Sequence, residues 1–285
     1  MKRADLRHPL ESLERTGDRW SQWSSQPMVE MSALDTYHFI KAMIPRPPQR
    51  VLEIGCGNGY LTLELARDGH AVIGLDISQD ILAVAEQTRK AYPEPPGFGT
   101  LDYVCTDIGT WPITEKTFDV VIFNRTLHHL HGFQPILRKI HQLLVPTGLL
   151  VCQDYAYDRL NIQTASWVYA MQRLLFLSGL SEDNPATATD DRSSIEALQT
   201  AWFEKAEKRE HRLNRYDEMM HALNAAFHQQ HISWVPYLFV YIGNSIQPLP
   251  QEKERELITF LRNIEQHLID TETIQAVGFR SVGTT

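Results

Sequence analysis

A glycine-rich turn at residues 55–59, with the sequence Gly-Cys-Gly-Asn-Gly, constrains this chain most strongly. The apolar residues 50–54 before it are typical of a buried strand, and residues 60–68 after it have the spacing of a helix. Glycines in such a turn let a ligand lie directly against the backbone. The turn therefore predicts an α/β fold with a ligand site at the edge of the sheet.

Apolar runs alternate with helical patterns as far as residue 155. Strands are predicted at 71–75, 101–105, 118–123 and 149–152, and helices at 78–91 and from Pro135 onward. Residues 118–123 are apolar enough to be buried on both faces, which indicates a parallel sheet. The sequence predicts a doubly wound, Rossmann-like α/β sheet with N-terminal helices and an inserted helical cap.

The predicted organisation has four parts: an N-terminal helical lid at 1–47, an α/β core at 48–158, a helical cap at 159–230, and C-terminal strands with a helix at 231–285. Long helices are predicted at 161–180, 193–209 and 250–269, the second opened by a capping box at Ser193. The polar stretch 181–191 is interpreted as a mobile loop or hinge. Residues 234–242 fit either a strand of the sheet or a helix of the cap.

Composition excludes several classes of function. The 285 residues are 43% hydrophobic, which is ordinary for a globular protein, and the formal net charge is -8. No basic field is available to attract nucleic acid. No apolar run is long enough for a membrane helix, and the first residues lack a signal peptide's apolar core. We therefore expect a soluble, cytoplasmic protein without nucleic acid or membrane partners; a homodimer is left open.

The three cysteines, Cys56, Cys105 and Cys152, are odd in number, and none forms a C-x-x-C pair. Neither a disulfide framework nor a thiolate zinc site is indicated.

The residues around the glycine turn distinguish between ligands. A dinucleotide fingerprint places its third glycine where this chain has Tyr60, and Glu53 would repel a pyrophosphate. S-adenosylmethionine (SAM) is cationic and lacks phosphate, so a carboxylate attracts it. Asp76, at the end of the second strand, can accept both ribose hydroxyls, and Ile77 offers an apolar face to adenine. Asp107, after the third strand, is placed to accept the adenine amino group.

In this order, these motifs resemble the class I SAM-dependent methyltransferases of the small-molecule type, over residues 48–155. The resemblance rests on Glu53-x-Gly55-x-Gly57-x-Gly59, Asp76, Asp107-Ile108, the strand 118–121 leading to Asn124, and 144–150, where Thr147 replaces a usual glycine. It implies SAM as the cofactor, S-adenosylhomocysteine (SAH) as its product, and a cofactor site made by Glu53, Gly55, Cys56, Gly57, Asn58, Gly59, Asp76, Ile77, Asp107, Ile108 and Asn124.

Histidines follow the fourth strand, at the ligand edge of the sheet. His128 or His129 is a candidate general base, because imidazole takes up a proton near neutral pH. The alternative is a structural pair that packs the loop and caps the helix. A metal site including His131 is disfavoured, because no Cys or carboxylate completes the set.

Substrate contacts are predicted at Asp154 and Tyr155, which follow the fifth strand; capping of the next helix is the alternative. His211 is a further candidate, with a solvated helix face as its alternative. The N-terminal Trp20, together with Trp23 and Tyr37, is a candidate lid over the site, although aromatic side chains more often belong to a core.

The predicted function is methyl transfer from SAM to the oxygen, nitrogen or carbon of a small organic acceptor, in metabolism such as natural product biosynthesis. The aromatic and methionine residues of the predicted cap suit a bulky apolar acceptor. Two alternatives remain: a SAM-binding enzyme that catalyses cyclisation, decarboxylation or rearrangement, and a non-catalytic interaction protein of the same fold.

Overall fold

The computed structural model describes residues 25–91, 94–112, 117–208 and 212–285. They form a seven-stranded sheet between helices. The strands are β1 (Arg50–Ile54), β2 (Ala71–Asp76), β3 (Thr100–Cys105), β4 (Phe118–Asn124), β5 (Leu144–Tyr155), β6 (His228–Val235) and β7 (Gly278–Thr284). The helices are α1 (Gln26–Val29), α2 (Asp35–Met43), α3 (Tyr60–Arg67), α4 (Gln79–Ala91), α5 (Phe133–Leu143), α6 (Ile162–Leu177), α7 (Asp191–Glu207), α8 (Tyr216–Ala226), α9 (Leu238–Gly243) and α10 (Gln251–Asp270). A π-helical turn, Glu30–Leu34, joins α1 to α2.

The strand order β3-β2-β1-β4-β5-β7-β6 confirms the doubly wound sheet. Strands β1 to β5 are parallel, and β7 lies antiparallel between β5 and β6. Strand β1 pairs with β2 on one side and β4 on the other, so the strand order reverses at β1. In open α/β sheets ligands bind at such a reversal, beyond the carboxyl ends of the strands.

Both faces of the central strands are buried, as predicted for β4. Val120 and Ile122 belong to one hydrophobic core, and Val121 and Phe123 belong to the other. All four are fully enclosed. Alternate side chains of a strand point to opposite faces, so a continuous apolar run places a core on each side. Helix α8 packs with α5 on the second face, where Met219 is buried.

A third core lies among the helices outside the sheet. Leu160, Val168 and Leu175 of the α6 region pack there with Phe239 of α9 and Leu261 of α10. Helices α6 and α7 also contact one another. The chain therefore builds a separate helical layer beside the carboxyl-terminal part of the sheet.

Local boundaries differ from the predictions at three places. Within 234–242, β6 ends at Val235 and α9 begins at Leu238, because Pro236 between them has no N–H for the strand ladder. Helix α7 is capped by Asp190, whose side chain accepts the Ser193 N–H at 2.9 Å, so the predicted box at Ser193 is wrong. Helix α5 starts at Phe133, two residues before Pro135.

The segment from α1 to α2 is fixed to α10 by ion pairs. Arg255 contacts Glu30, and Arg262 lies 3.0 Å from Asp35. Tyr37 of α2 is 1% exposed and its hydroxyl donates to Asp68, so it is a core residue and not a lid. No described helix has the length and apolarity that a membrane crossing requires.

Candidate cofactor and acceptor site

The glycine turn between β1 and α3 needs glycine for steric reasons. Gly55, Gly57 and Gly59 have φ angles of 71°, 55° and 74°, in the left-handed region that L side chains rarely adopt. A Cβ atom on Gly55 would lie 2.4 Å from the Thr126 hydroxyl oxygen, and one on Gly59 would lie 2.3 Å from the Tyr103 hydroxyl. Thr126 and Tyr103 therefore pack so closely against the turn that neither Gly55 nor Gly59 has room for a side chain.

Tyr103 supports this turn and was missed by the sequence analysis. Its hydroxyl donates to the Gly59 carbonyl at 3.1 Å and accepts from the Thr62 hydroxyl at 3.2 Å. Tyr103 pairs in register with Gly74 of β2, and burial raises its pKa. A tyrosine in a half-buried strand carries no signal of this role, because the contact crosses from β3 to the first turn of α3.

Asp76 ends β2 and lies beside the glycine turn, as predicted. Its two carboxylate oxygens accept the N–H groups of Gly57 at 3.0 Å and Ser78 at 2.9 Å. Each oxygen keeps a lone pair for a further donor such as a ribose hydroxyl. The neighbouring Ile77 is 75% exposed, so an apolar side chain stands uncovered where adenine is expected.

Glu53 is buried beneath the turn with one carboxylate oxygen, Oε2, that has no hydrogen-bond partner. Burial raises the pKa of Glu53 well above its usual range, and the negative charge of Asp76 raises it further. The buried Nδ2 of Asn58 and Oδ1 of Asn124 also lack partners. Unsatisfied buried polar atoms are costly, so this set requires a ligand with both donors and acceptors. The ammonium and carboxylate of SAM fit that requirement.

The remaining predicted cofactor residues lie on the same edge of the sheet. Cys56 is buried, and its N–H donates to the Leu75 carbonyl at 2.9 Å. Ile108 is buried, whereas Asp107 is exposed and its Oδ1 accepts the Gly109 N–H at 2.5 Å. The role of Asp107 toward adenine stays a prediction.

The raised pKa of Glu53 predicts that SAM binding releases a proton. Burial shifts the Glu53 carboxyl of the free protein toward its protonated form by raising its pKa, whereas a bound ammonium favours the ionised carboxylate. Affinity should therefore rise with pH, up to the pKa of Glu53 in the free protein. Calorimetric titration with SAM in phosphate and in Tris should give binding enthalpies that differ, because the two buffers take up the proton with different heats. The Glu53→Gln variant is the control and should show no such difference; equal enthalpies for the unmodified protein would contradict the prediction.

His128 and Asp154 form a buried pair across the ends of β4 and β5. The Nδ1 of His128 lies 2.5 Å from Oδ1 of Asp154, and the His128 backbone N–H donates to Oδ2 at 3.2 Å. Both residues are at most 3% exposed. No described residue hydrogen-bonds the other ring nitrogen, Nε2. A carboxylate that holds Nδ1–H leaves Nε2 as the basic nitrogen.

Aromatic rings connect this pair to the acceptor side. The His128 ring lies 4.0 Å from the exposed His129 ring and 4.4 Å from the Tyr155 ring, between ring centroids. Tyr155 stacks on Tyr237 at 4.8 Å, and the Arg125 guanidinium lies 5.8 Å from the centre of the Tyr237 ring. His128 therefore lies between the carboxylate of Asp154 and the aromatic rings of this side of the site.

A concave, partly open pocket lies next to Asp154. Met31, Tyr237 and Phe239 contribute apolar walls, and Arg125 and Arg280 contribute guanidinium groups. Arg125 has a φ of 56°, an uncommon conformation for a residue with a side chain. The pocket lies at the carboxyl ends of β4 and β5, where an acceptor would approach the cofactor.

A polar network that the sequence analysis missed forms another wall of the pocket. Arg280 donates from Nε to Oε1 of Gln153 at 2.7 Å and from Nη2 to Asp35 at 2.5 Å. Gln153 in turn donates to the Thr36 hydroxyl at 2.5 Å. The network joins α2, β5 and β7, whose residues are up to 245 positions apart. No local pattern could have revealed it.

Two of the predicted substrate residues, Trp20 and His211, lie outside the described residues, as does Trp23. Their roles stay predictions. Within the described ranges, no group of three His, Cys, Asp or Glu side chains is placed to hold a metal ion.

The fold and this site define a class of protein: a doubly wound α/β fold whose glycine turn lies beside two carboxylates, Glu53 and Asp76, at the carboxyl ends of the strands. Residues 52–152 match a family profile described as "Methyltransferase domain". The chain is 24% identical over 157 residues to demethylmenaquinone methyltransferase of Lysinibacillus sphaericus, covering 54% of this chain and 64% of that protein. It is 34% identical over 132 residues to an uncharacterized methyltransferase of Mycobacterium bovis, covering 45% of this chain and 64% of that protein.

Among solved structures, one titled as the [4+2]-cyclase SpnF aligns with a TM-score of 0.55 at 15% identity, over 99% of this chain and 93% of that chain. At that identity the likeness shows the fold alone. The alignments span just under two thirds of the length of both curated relatives. Residues 52–152 therefore carry a methyltransferase domain, and the profile and the named relatives support the resemblance of this chain to the class I SAM-dependent methyltransferases.

Proposed function

We propose that this protein transfers a methyl group from SAM to a hydroxyl oxygen of a small organic acceptor. The observation that carries the proposal is the buried His128–Asp154 pair at the carboxyl ends of β4 and β5. It lies on the same sheet edge as the glycine turn and beside the pocket. A hydroxyl must lose a proton to attack a methyl group efficiently, and a positioned imidazole can accept that proton.

The chain's contribution to binding comes from the residues around the glycine turn. When bound, SAM supplies a methyl group on a positively charged sulfur atom. Glu53 attracts the ammonium group, Asp76 accepts from the ribose hydroxyls, and the exposed Ile77 covers one face of adenine. Asn58 and Asn124 offer their unsatisfied amide atoms to the amino-acid end.

On the acceptor side, the chain orients the hydroxyl and removes its proton. His128 Nε2 takes the proton while Asp154 stabilises the imidazolium through Nδ1. Holding the oxygen in line with the methyl group contributes about 7 to 11 kcal/mol in favourable systems. Tyr237, which stacks on Tyr155, lines the pocket together with Phe239, so an acceptor with a planar apolar part suits that wall.

The division of the chain is part of the proposal. Residues 48–158 bind SAM, 159–230 provide the acceptor cap, and 231–285 complete the core. The third hydrophobic core supports a separate helical layer around α6 and α7. The proposal also includes an N-terminal lid at 1–47, to which Trp20 belongs, and a substrate contact from His211. It assigns the reaction to cytoplasmic small-molecule metabolism such as natural product biosynthesis.

The first test is binding. Calorimetric titration of the purified protein with SAM, SAH and NAD should give micromolar affinity for the two sulfur compounds and none for NAD. Binding of NAD in their place would overturn the cofactor assignment.

The second test is turnover. The protein is incubated with SAM that carries a ¹³C-labelled methyl group and with catechol, naphthohydroquinone, hexanol or ethanolamine in separate reactions. We expect a hydroxyl-bearing acceptor to gain one labelled methyl group on oxygen, with SAH formed in equal amount. Methylation of ethanolamine nitrogen or of a ring carbon alone would contradict the oxygen assignment.

The same experiment separates the alternative functions. An acceptor that changes without gaining labelled methyl, while SAM stays intact, would indicate cyclisation, decarboxylation or rearrangement. Binding of SAM with no change in any acceptor, together with capture of a protein partner, would favour an interaction protein.

A further inference from the structure

A buried carboxylate on α10 holds the turn that forms one wall of the acceptor pocket. Glu265 is fully enclosed. Its Oε1 accepts the N–H groups of Tyr237 at 2.8 Å and Leu238 at 2.9 Å, and its Oε2 accepts the Phe239 N–H at 2.7 Å. One side chain therefore satisfies three consecutive backbone donors at the start of α9, where the turn has no side-chain cap of its own.

The turn that Glu265 holds connects to the proposed base. Tyr237 and Phe239 line the pocket. The Tyr237 ring stacks on Tyr155 with an angle of 12° between the planes, and Tyr155 contacts the His128 ring edge-on. A shift of the Tyr237 backbone would move the ring that packs against Tyr155, and so loosen the contact that orients His128.

A buried carboxylate that accepts three N–H groups is more than a short helix needs as an N-terminal cap. A buried carboxylate loses its hydration, and only strong hydrogen bonds offset that loss. A neutral capping side chain such as Ser or Asn normally satisfies only one of the exposed N–H groups. A carboxylate accepts all three N–H groups at once, whereas an amide side chain has one acceptor oxygen and would turn an N–H group toward another donor.

We propose that Glu265 is a positioning residue of the acceptor site: by fixing residues 237–239 it holds Tyr237 against Tyr155 and thereby sets the pocket wall and the orientation of His128. This inference rests on the proposed function. Glu265 acts through the turn and touches neither SAM nor the acceptor. Its loss should therefore affect the acceptor and leave SAM binding intact.

The burial and charged surroundings of Glu265 make its hydrogen bonds to the turn depend on pH. Burial raises the pKa of Glu265 to about 7, while its three backbone donors and the charge of Arg262 act in the opposite direction. Arg262 precedes it on α10 and contacts Asp35 of α2, which Arg280 of β7 also contacts.

The π-helical turn adds Glu30, which pairs with Arg255 of α10, and α10 itself also carries His267. The turn at residues 237–239 and α9 contribute the hydroxyls of Tyr237 and Tyr241, and β6 carries His228 and His231. Below pH 7 the protonated carboxyl accepts the three N–H groups less well, so the turn should loosen as the pH falls.

The experiment compares the unmodified protein with Glu265→Gln and with Glu256→Gln, a matched control on the exposed face of the same helix. Amide hydrogen exchange of residues 237–239 is followed by mass spectrometry and corrected for intrinsic rates. Glu265→Gln should exchange there at least tenfold faster, and the control should not change. The unmodified protein should itself lose protection there between pH 8 and pH 6, which tests the contact even if Glu265→Gln does not fold. Unchanged exchange in Glu265→Gln, or a flat pH profile in the unmodified protein, would overturn the proposal.

The effect on catalysis is measured as turnover of whichever of catechol, naphthohydroquinone and hexanol the unmodified protein methylates. Glu265→Gln should raise the acceptor KM at least fivefold at pH 8 and keep the SAM Kd within twofold. A KM that is unchanged, or a SAM Kd that weakens equally, would overturn the positioning role. If the unmodified protein methylates none of these acceptors, the proposed function fails, and hydrogen exchange alone then decides whether Glu265 holds the turn.

Discussion

Replacement of His128 with Asn should lower kcat for methylation of a hydroxyl acceptor by about 10² to 10⁴-fold, the range that general base catalysis supplies. Asn places its Nδ2 where His128 has Nδ1 and can still donate to Asp154, so the buried hydrogen bond and the turn after β4 should be retained. It has no basic nitrogen, so the hydroxyl keeps its proton. The measurement is SAH formation at saturating SAM and acceptor, with SAM affinity determined separately by calorimetry.

Two further variants identify which histidine matters. Asp154→Asn should also reduce kcat strongly, because an amide nitrogen opposite Nδ1 favours the tautomer with its proton on Nε2. His221→Asn, an exposed histidine on α8, is the matched control and should leave kcat unchanged. If His128→Asn turns over normally while His129→Asn does not, the base is the exposed neighbour; if neither substitution lowers kcat, the His128–Asp154 pair is structural.

The Asp76→Ala variant should bind SAM at least tenfold more weakly, and up to about 10²-fold for each ribose hydrogen bond lost, since hydrogen bonds to charged groups contribute about 1.5 to 3 kcal/mol. The effect has two sources. The ribose loses its acceptor, and the Gly57 N–H loses the carboxylate oxygen that fixes the glycine turn at 3.0 Å. Calorimetric titration with SAM and SAH measures it without any acceptor.

The Asp76→Asn variant is the intermediate case for SAM affinity at this site. Its amide oxygen still accepts one donor, so its affinity should fall between those of Asp76→Ala and the unmodified protein. Circular dichroism should show the same helical content in all three, because Asp76 ends β2 and is only half-buried. Unchanged SAM affinity in Asp76→Ala would overturn the assignment of the ribose site.

The residues of the proposed cofactor site could be predicted from the sequence because they lie at the ends of strands. Glu53, Gly55 and Gly59 lie within seven consecutive positions, and each role depends on one turn between a strand and a helix. Asp76 was found from the end of the next strand. Parallel strands bring their carboxyl ends to one edge, so strand boundaries were enough to gather these residues.

The residues of the proposed acceptor site could be predicted from the sequence only in part. His128 and Asp154 were each placed at the ligand edge, since each follows a strand that the apolar pattern revealed. Their pairing depends on the register in which Phe123 of β4 lies beside Cys152 of β5. Strand register is set by packing across the sheet, and a single sequence does not state it.

The sequence by itself determined the class of fold and the cofactor, because apolar periodicity and a glycine turn act over short stretches of chain. The tertiary structure alone decided the acceptor wall. Asp35 meets Arg280, and Glu265 meets the turn at Tyr237, only after α2, β7, α9 and α10 have packed together. Contacts between residues so far apart in the chain depend on how the whole core packs, so no local sequence pattern encodes them.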